Sequence, residues 1–176
     1  GGVIGFVMVF INLVIGQIYV ISQGGELFNL LTALKLMGLM LFSIMTFSSF
    51  FFYLSIHIKT RNAYGTLSTL VGTLIGFLGG IYIPIGVLSP TVQDVMSTLP
   101  TSHAVTIFRR VYMEGAVEKV FGGSTGGFYQ TYVDAYGLNV YIGSFKLENW
   151  HMLLSMGIFM TIFYLLSLFQ LSKSKL

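Results

Sequence analysis

The chain has 176 residues, of which 55% are hydrophobic and only 9% charged, with a mean hydropathy of +0.83. Soluble domains carry about 25% charged residues, so this composition cannot cover a water-facing surface and points to an integral membrane protein. The absence of cysteine excludes disulfides, thiolate metal sites and cysteine nucleophiles. The nine basic residues are spread along the chain, and they read as orientation signals rather than a nucleic-acid surface. The chain opens on Gly1-Gly2 inside an apolar run with no charged segment ahead of it, which reads as a cut edge rather than a signal peptide.

A helix needs about 20 mainly apolar residues to cross a bilayer. Four stretches qualify, at about 3–21, 34–58, 66–85 and 152–171. Backbone groups inside lipid must be paired, and long runs without strand-like alternation favour helices. The expected fold is an all-α transmembrane helical bundle in one domain, 1–176. Charge placement orients it. Lys59 and Arg61 lie between the second and third stretches, and Lys173 and Lys175 follow the fourth. All six acidic residues (Glu26, Asp94, Glu114, Glu118, Asp134 and Glu148) fall in the other two connections. The positive-inside rule then puts the Lys59/Arg61 loop and the C-terminus in the cytoplasm, with segment 89–150 outside. Lys35, near the outer end of its helix, reads as a snorkelling side chain or as a functional intramembrane cation.

In the second stretch Ser43, Thr46, Ser48 and Ser49 form a small, mildly polar region. The third carries Gly72, Gly76 and Gly80 at four-residue spacing, with Gly79 beside them. Such a face lets another helix approach closely, either within one subunit, at a dimer seam or along a transport path. Pro84 and Gly86 are expected to end this span, since proline removes a donor and clashes with the preceding turn. Ser89-Pro90 then opens a short helix with Val92, Val95, Met96 and Leu99 as one apolar stripe. Too short to cross, it suits an interfacial or re-entrant position. After Pro100, Ser102 is expected to cap a further helix that stops near Gly115. Residues 122–127 read as a glycine-rich linker, and 139–142 with 145–147 as a small β-hairpin around Gly143-Ser144. Adjacent Arg109 and Arg110 read as headgroup anchors, or one of them as a tie that fixes the re-entrant segment through Asp94 or a carbonyl.

No phosphate-binding loop is present. His57, His103 and His151 do not form a zinc-binding pattern, and no catalytic triad or carboxylate pair lies within a span. The chain is expected to be no enzyme and to hold no cofactor or metal of its own. With acids absent from the spans, an ion-coupled carrier loses weight.

Gly76-Phe77-Leu78-Gly79-Gly80-Ile81-Tyr82-Ile83-Pro84 resembles the "F-L-S-G-x-x-x-P" signature of ABC type-2 permeases, the membrane subunits of a class of ATP-driven exporters. Leu99-Pro100-Thr101-Ser102-His103-Ala104 with Phe108-Arg109 resembles the continuation "P-x-[ST]-[YH]-A…R". The chain departs from the common form in Gly79, where serine is usual, and in Leu88-Ser89-Pro90, where a Leu-Pro pair is usual. The resemblance implies the last four spans of a six-span permease. It further implies pairing with a second permease domain as a homo- or heterodimer. ATP and magnesium would be held by a partner or fused ATP-binding cassette ATPase, in a bacterial plasma membrane. It makes Lys59, Thr60, Arg61 and Asn62 an ATPase-contact loop, and Pro84, Gly86, Pro100 and Arg109 parts of the re-entrant break. Gly72, Gly76, Gly79 and Gly80 would then line a seam or path, with Thr69, Thr73 and Phe77 as path residues and an amphipathic or lipid-like cargo moving outward. The competing readings are an ion-coupled secondary carrier and a membrane receptor or scaffold that acts through its outer segment.

Overall fold

The computed structural model of the chain describes residues 2–122 and 126–173. The 123–125 portion of the expected glycine-rich linker, Gly1 and the basic residue Lys175 lie outside the described residues. Seven α-helices and one two-stranded sheet follow in order: α1 (Gly2–Ser22), α2 (Leu30–Ile56), α3 (Arg61–Leu78), α4 (Pro90–Ser97), α5 (Pro100–Phe121), α6 (Gly127–Ala135), β1 (Tyr141–Ile142), β2 (Phe145–Lys146) and α7 (Asn149–Lys173). The described residues are 79% helical, which fits an all-α fold. Among the described residues, α1, α2 and α7 are long and apolar enough to cross a membrane, which is consistent with a membrane protein.

The central pair is α2 and α7. Phe50 packs on Phe159 and Phe163 with ring centroids 5.6 and 4.9 Å apart, and Tyr53 meets Phe163 at 5.4 Å. Met40 and Thr46 of α2, and Met152, Met156 and Ser167 of α7, are fully or almost fully buried. Small buried hydroxyls let the two helices approach, and their protons go to carbonyls one turn back: Thr46 donates to Phe42 and Ser167 to Phe163, both at 2.8 Å. Ala104 and Ile107 of α5, with Val140 and Leu147 flanking the hairpin, close this core at one end of the pair. Helix α1 packs on the side of α2 and buries only Gln17, whose Nε2 donates to the Glu26 carbonyl at 2.9 Å.

The third expected span, 66–85, is corrected by the structure. Helix α3 starts earlier, at Arg61, because Thr60 caps it and accepts a hydrogen bond from Ala63 N–H at 3.2 Å. It stops at Leu78, seven residues before the expected end of the span. The terminator is glycine, not proline. Gly80 adopts φ +69°, while Ile81 N–H returns to the Gly76 carbonyl and Gly80 N–H to the Phe77 carbonyl, each at 3.0 Å. That pair of bonds around a left-handed residue is the Schellman helix end. The break therefore begins four residues before Pro84, which instead precedes a short 3-10 turn, Ile85–Val87.

Two further expectations are corrected. Ser102 does not cap α5. The helix begins at Pro100, and Ser102 Oγ lies 2.5 Å from the Met96 carbonyl and 2.7 Å from that of Leu99, fastening α4 to α5. Nor does α5 stop near Gly115. It continues to Phe121 and ends at Gly122, which takes φ +53°. One glycine inside a helix costs about 1 kcal/mol relative to alanine, too little to end a helix supported on one face by the core.

Candidate functional site

Two places in the fold gather chemistry. The first is a cavity of about 1160 Å³ between α1, α2, α3 and α7. Its walls include Ser43, Ser48, Ser49 and Ser55 from α2, Tyr64 and Ile75 from α3, and Met160, Thr161 and Tyr164 from α7. No charged residue lines it. Ser49, Ser55 and Thr161 donate to the carbonyls of Thr46, Phe52 and Gly157 at 2.7 to 2.8 Å, so their protons are spent within their own helices. Ser43 differs: its Oγ is buried and has no hydrogen-bond partner. That oxygen is closed off, so a molecule held in the cavity does not reach it in this arrangement. An uncharged lining cannot compensate an ion taken from water. The cavity thus suits an apolar body with neutral polar groups.

The second place is the break after α3 and the segment that folds against it. Arg109 Nη2 donates to the Gly80 carbonyl at 2.6 Å, and its Nη1 to the Tyr136 carbonyl at 3.1 Å. Arg110 reaches the other way: Nε donates to the Leu138 carbonyl at 2.6 Å, Nη2 to that of Leu147 at 3.0 Å, and Nη1 to Asn149 Oδ1 at 2.5 Å. Neighbouring residues on a helix point about 100° apart, so one arginine pair ties α5 to two different sets of backbone. Neither guanidinium has a carboxylate within 4.0 Å among the described residues. Partial burial pushes both below the usual arginine range, and Glu148 and Tyr141 partly offset this at Arg110. The tie is to carbonyls, not to Asp94. Asp94 Oδ1 instead accepts from Gly143 N–H at 3.3 Å, holding the hairpin turn to α4.

His103 is 3% exposed, and its Nε2 sits 2.7 Å from the Ser97 carbonyl, while Nδ1 is buried without a partner. Burial lowers its pKa below 6.5, with the Ser97 hydrogen bond opposing the shift. Ser102 and His103 thus fasten the last turn of α4 to the first turn of α5 from adjacent positions.

The glycines separate by role. Gly79 is the close approach of α3 to α5: an added Cβ would stand 3.2 Å from Val105 Cγ2 and 2.8 Å from the Ile75 carbonyl oxygen. Gly76 leaves room for the returning Tyr82 ring, whose Cζ would lie 2.7 Å from such a Cβ, and Tyr82 stacks edge-on against Phe77 at 5.0 Å. Gly80 supplies the left-handed turn, while Gly72 is exposed and a Cβ there would meet nothing within 4 Å. Thr69 and Thr73 are exposed and bond back to the Gly65 and Thr69 carbonyls. Phe77 is half exposed. None of these three lines the large cavity. Gly86 abuts α6, Pro84 precedes the 3-10 turn, and Pro100 occupies the first turn of α5.

In the loop before α3, Lys59, Arg61 and Asn62 are exposed and Thr60 is the cap. Lys35 lies 3.7 Å from Glu114, and Lys119 lies 3.0 Å from Glu26, both pairs largely exposed. These pairs bring α5 against α2 and against the α1–α2 connection. Among the described residues no group of three potential metal ligands converges. No protein-family model, no curated protein and no solved structure matches the chain.

Proposed function

We propose that the chain is the membrane permease part of an ABC exporter, moving an amphipathic or lipid-like molecule outward on ATP hydrolysed by a partner or fused ATPase. The observation that carries this reading is the break after α3. A helix that ends on a Schellman turn is followed by a short α4 and by α5, stapled to one another by Ser102 and His103 and anchored to the break by Arg109. That arrangement coincides with the residues that resemble the ABC type-2 permease signature, from Gly76 to Arg109. The uncharged cavity between α1, α2, α3 and α7 is the candidate path.

The loop before α3 fits an ATPase-docking surface. Arg61 is an exposed cation in the first turn of a helix, where the helix dipole disfavours positive charge by about 0.3–1 kcal/mol. Such a placement serves a partner better than it serves the fold. In this reading α3 and the break after it together cross the membrane, so that the Lys59–Asn62 loop faces the cytoplasm of a bacterial plasma membrane and segment 89–150 faces outward. The permease itself breaks no bond. ATP-driven closure of two ATPases rocks two permease domains between inward- and outward-open states, and the cargo follows the state its site favours.

The test is purification of the protein from its own membrane in mild detergent. Co-purification of an ATP-hydrolysing subunit or domain, weakened by Lys59→Glu with Arg61→Glu, is the expected result. A preparation without ATPase activity from any bound or fused component refutes the reading and favours an ion-coupled carrier.

A further inference from the structure

A separate cavity of about 520 Å³ lies between the second half of α5, α6 and the hairpin, away from the apolar one. Its volume falls in the range of about 300–1,000 Å³ typical of small-molecule sites. One face of α5 forms a wall, with Glu114, Val117, Glu118 and Phe121 at helical spacing, and Tyr129 and Val133 of α6 stand opposite. Phe121 and Tyr129 meet edge-on, with centroids 5.4 Å apart and planes at 78°, so two ring systems form an aromatic corner.

The charges around that corner are unevenly satisfied. Glu114 and Glu118 are one turn apart, about 6 Å between Cβ atoms. Glu114 shares Lys35 at 3.7 Å, and the Glu118 side chain has no ion pair or hydrogen bond among the described residues. Glu148 and Lys146 also line the cavity and balance one another in sign. Arg110 also lines the cavity, with its guanidinium held on the Leu138 and Leu147 carbonyls and on Asn149 and with Glu148 as the nearby opposite charge. Glu118 thus stands as a carboxylate without a close partner in a lining that also holds aromatic rings.

We propose that this cavity binds an organic ammonium ion, a protonated or quaternary amine carried on an apolar body. The ammonium would lie by Glu118 within reach of the Phe121 and Tyr129 rings, and the body would lie on Val117 and Val133. A ring face attracts a cation within about 6 Å of its centroid, and an adjacent carboxylate adds Coulombic attraction that salt screens. A bare divalent cation fits less well, because no group of three His, Cys, Asp or Glu side chains converges among the described residues. The site lies outside the candidate transport path and does not rest on the permease reading.

The test is equilibrium binding of radiolabelled benzyltrimethylammonium to the full protein in nonionic detergent, with neopentylbenzene as the uncharged isostere. Saturable binding is expected, weakened on the order of tenfold by Glu118→Gln, weakened further by Glu114→Gln with Glu118→Gln, and reduced by raised salt. Because Glu118 is exposed and makes no side-chain bond, its glutamine variant leaves the fold intact. A melting temperature equal to that of the parent checks this. Phe121→Leu should weaken binding of the cation while leaving any uptake of neopentylbenzene unchanged. Absence of saturable binding overturns the proposal, as does equal affinity in the double glutamine variant or equal competition by the neutral isostere.

Discussion

Gly86→Ala is the substitution whose outcome the structure states most sharply. Gly86 lies in the 3-10 turn after the α3 break, and the end of α6 passes directly over it. A Cβ added there would fall inside the Asp134 carbonyl oxygen, 2.6 Å from its carbon and 2.9 Å from Ala135 Cα. All three atoms are backbone, so no rotamer change relieves the clash, and α6 must move off the turn. Overpacking costs about 1–3 kcal/mol, and a rigid backbone neighbour places this case near 3 kcal/mol. For a chain of this size about 1 kcal/mol moves Tm by roughly 2–4 °C, so Gly86→Ala should melt roughly 6–12 °C below the parent in detergent. Gly72→Ala is the matched control. Its Cβ meets nothing within 4 Å, and helix propensity favours alanine by up to about 1 kcal/mol. Limited proteolysis should also cut the α6 region faster in Gly86→Ala. If Gly86→Ala melts with the parent, or Gly72→Ala falls as far, the assigned packing of the break against α6 is wrong.

Arg109→Met removes the donors to the Gly80 and Tyr136 carbonyls. Hydrogen bonds from charged groups contribute about 1.5–3 kcal/mol, so a loss of about 2 kcal/mol is expected, together with faster amide exchange at 79–88. Exchanging the charges of Glu26 and Lys119 together should restore what either single reversal loses. The pair is 66% and 82% exposed at its lysine and glutamate, so that loss should stay below about 1 kcal/mol and vanish in high salt. His103 has its pKa depressed by burial. The unfolded chain therefore takes up this proton first, and stability present above pH 6.5 is lost as pH falls through 6.5 towards the lower folded-state value. Melting curves over that window should show the loss, and His103→Gln should flatten it.

Apolar length alone locates the helices α1, α2 and α7, which start and stop within a few residues of the expected stretches. The bounds of α3 differ because the decisive signal is local. A proline attracts attention as a helix breaker, yet Gly80 ends the helix through two carbonyl bonds that hydropathy does not register. The helix α6 was missed for a related reason. Its Phe128, Tyr129, Thr131, Tyr132 and Val133 are aromatic and β-branched residues of modest helix propensity, and Val133 becomes buried only when the segment packs on the fold. The glycine spacing on α3 suggested one continuous face, but the structure assigns Gly76 and Gly79 to two different neighbours and leaves Gly72 open. The serines of α2 were noticed in the sequence as a mildly polar patch. That these serines come to line a cavity depends on α1, α3 and α7 arriving around them, which no pattern within α2 encodes. The arginines were the reverse case: carbonyl binding was one of two readings open in the sequence, and Arg110 takes it as fully as Arg109.

The central proposal is that ATP binding to a partner or fused ATPase changes which side of the membrane reaches the cavity between α1, α2, α3 and α7. The chain contains no cysteine, so Ser48→Cys places a single thiol in the cavity wall. The measurement is its labelling by a membrane-impermeant maleimide in sealed vesicles that hold the intact ATPase-bound complex. Without nucleotide, the label should enter from the side of the Lys59–Asn62 loop. With a non-hydrolysable ATP analogue, entry should move to the opposite side. Labelling that is indifferent to the analogue, from either side, would contradict the account.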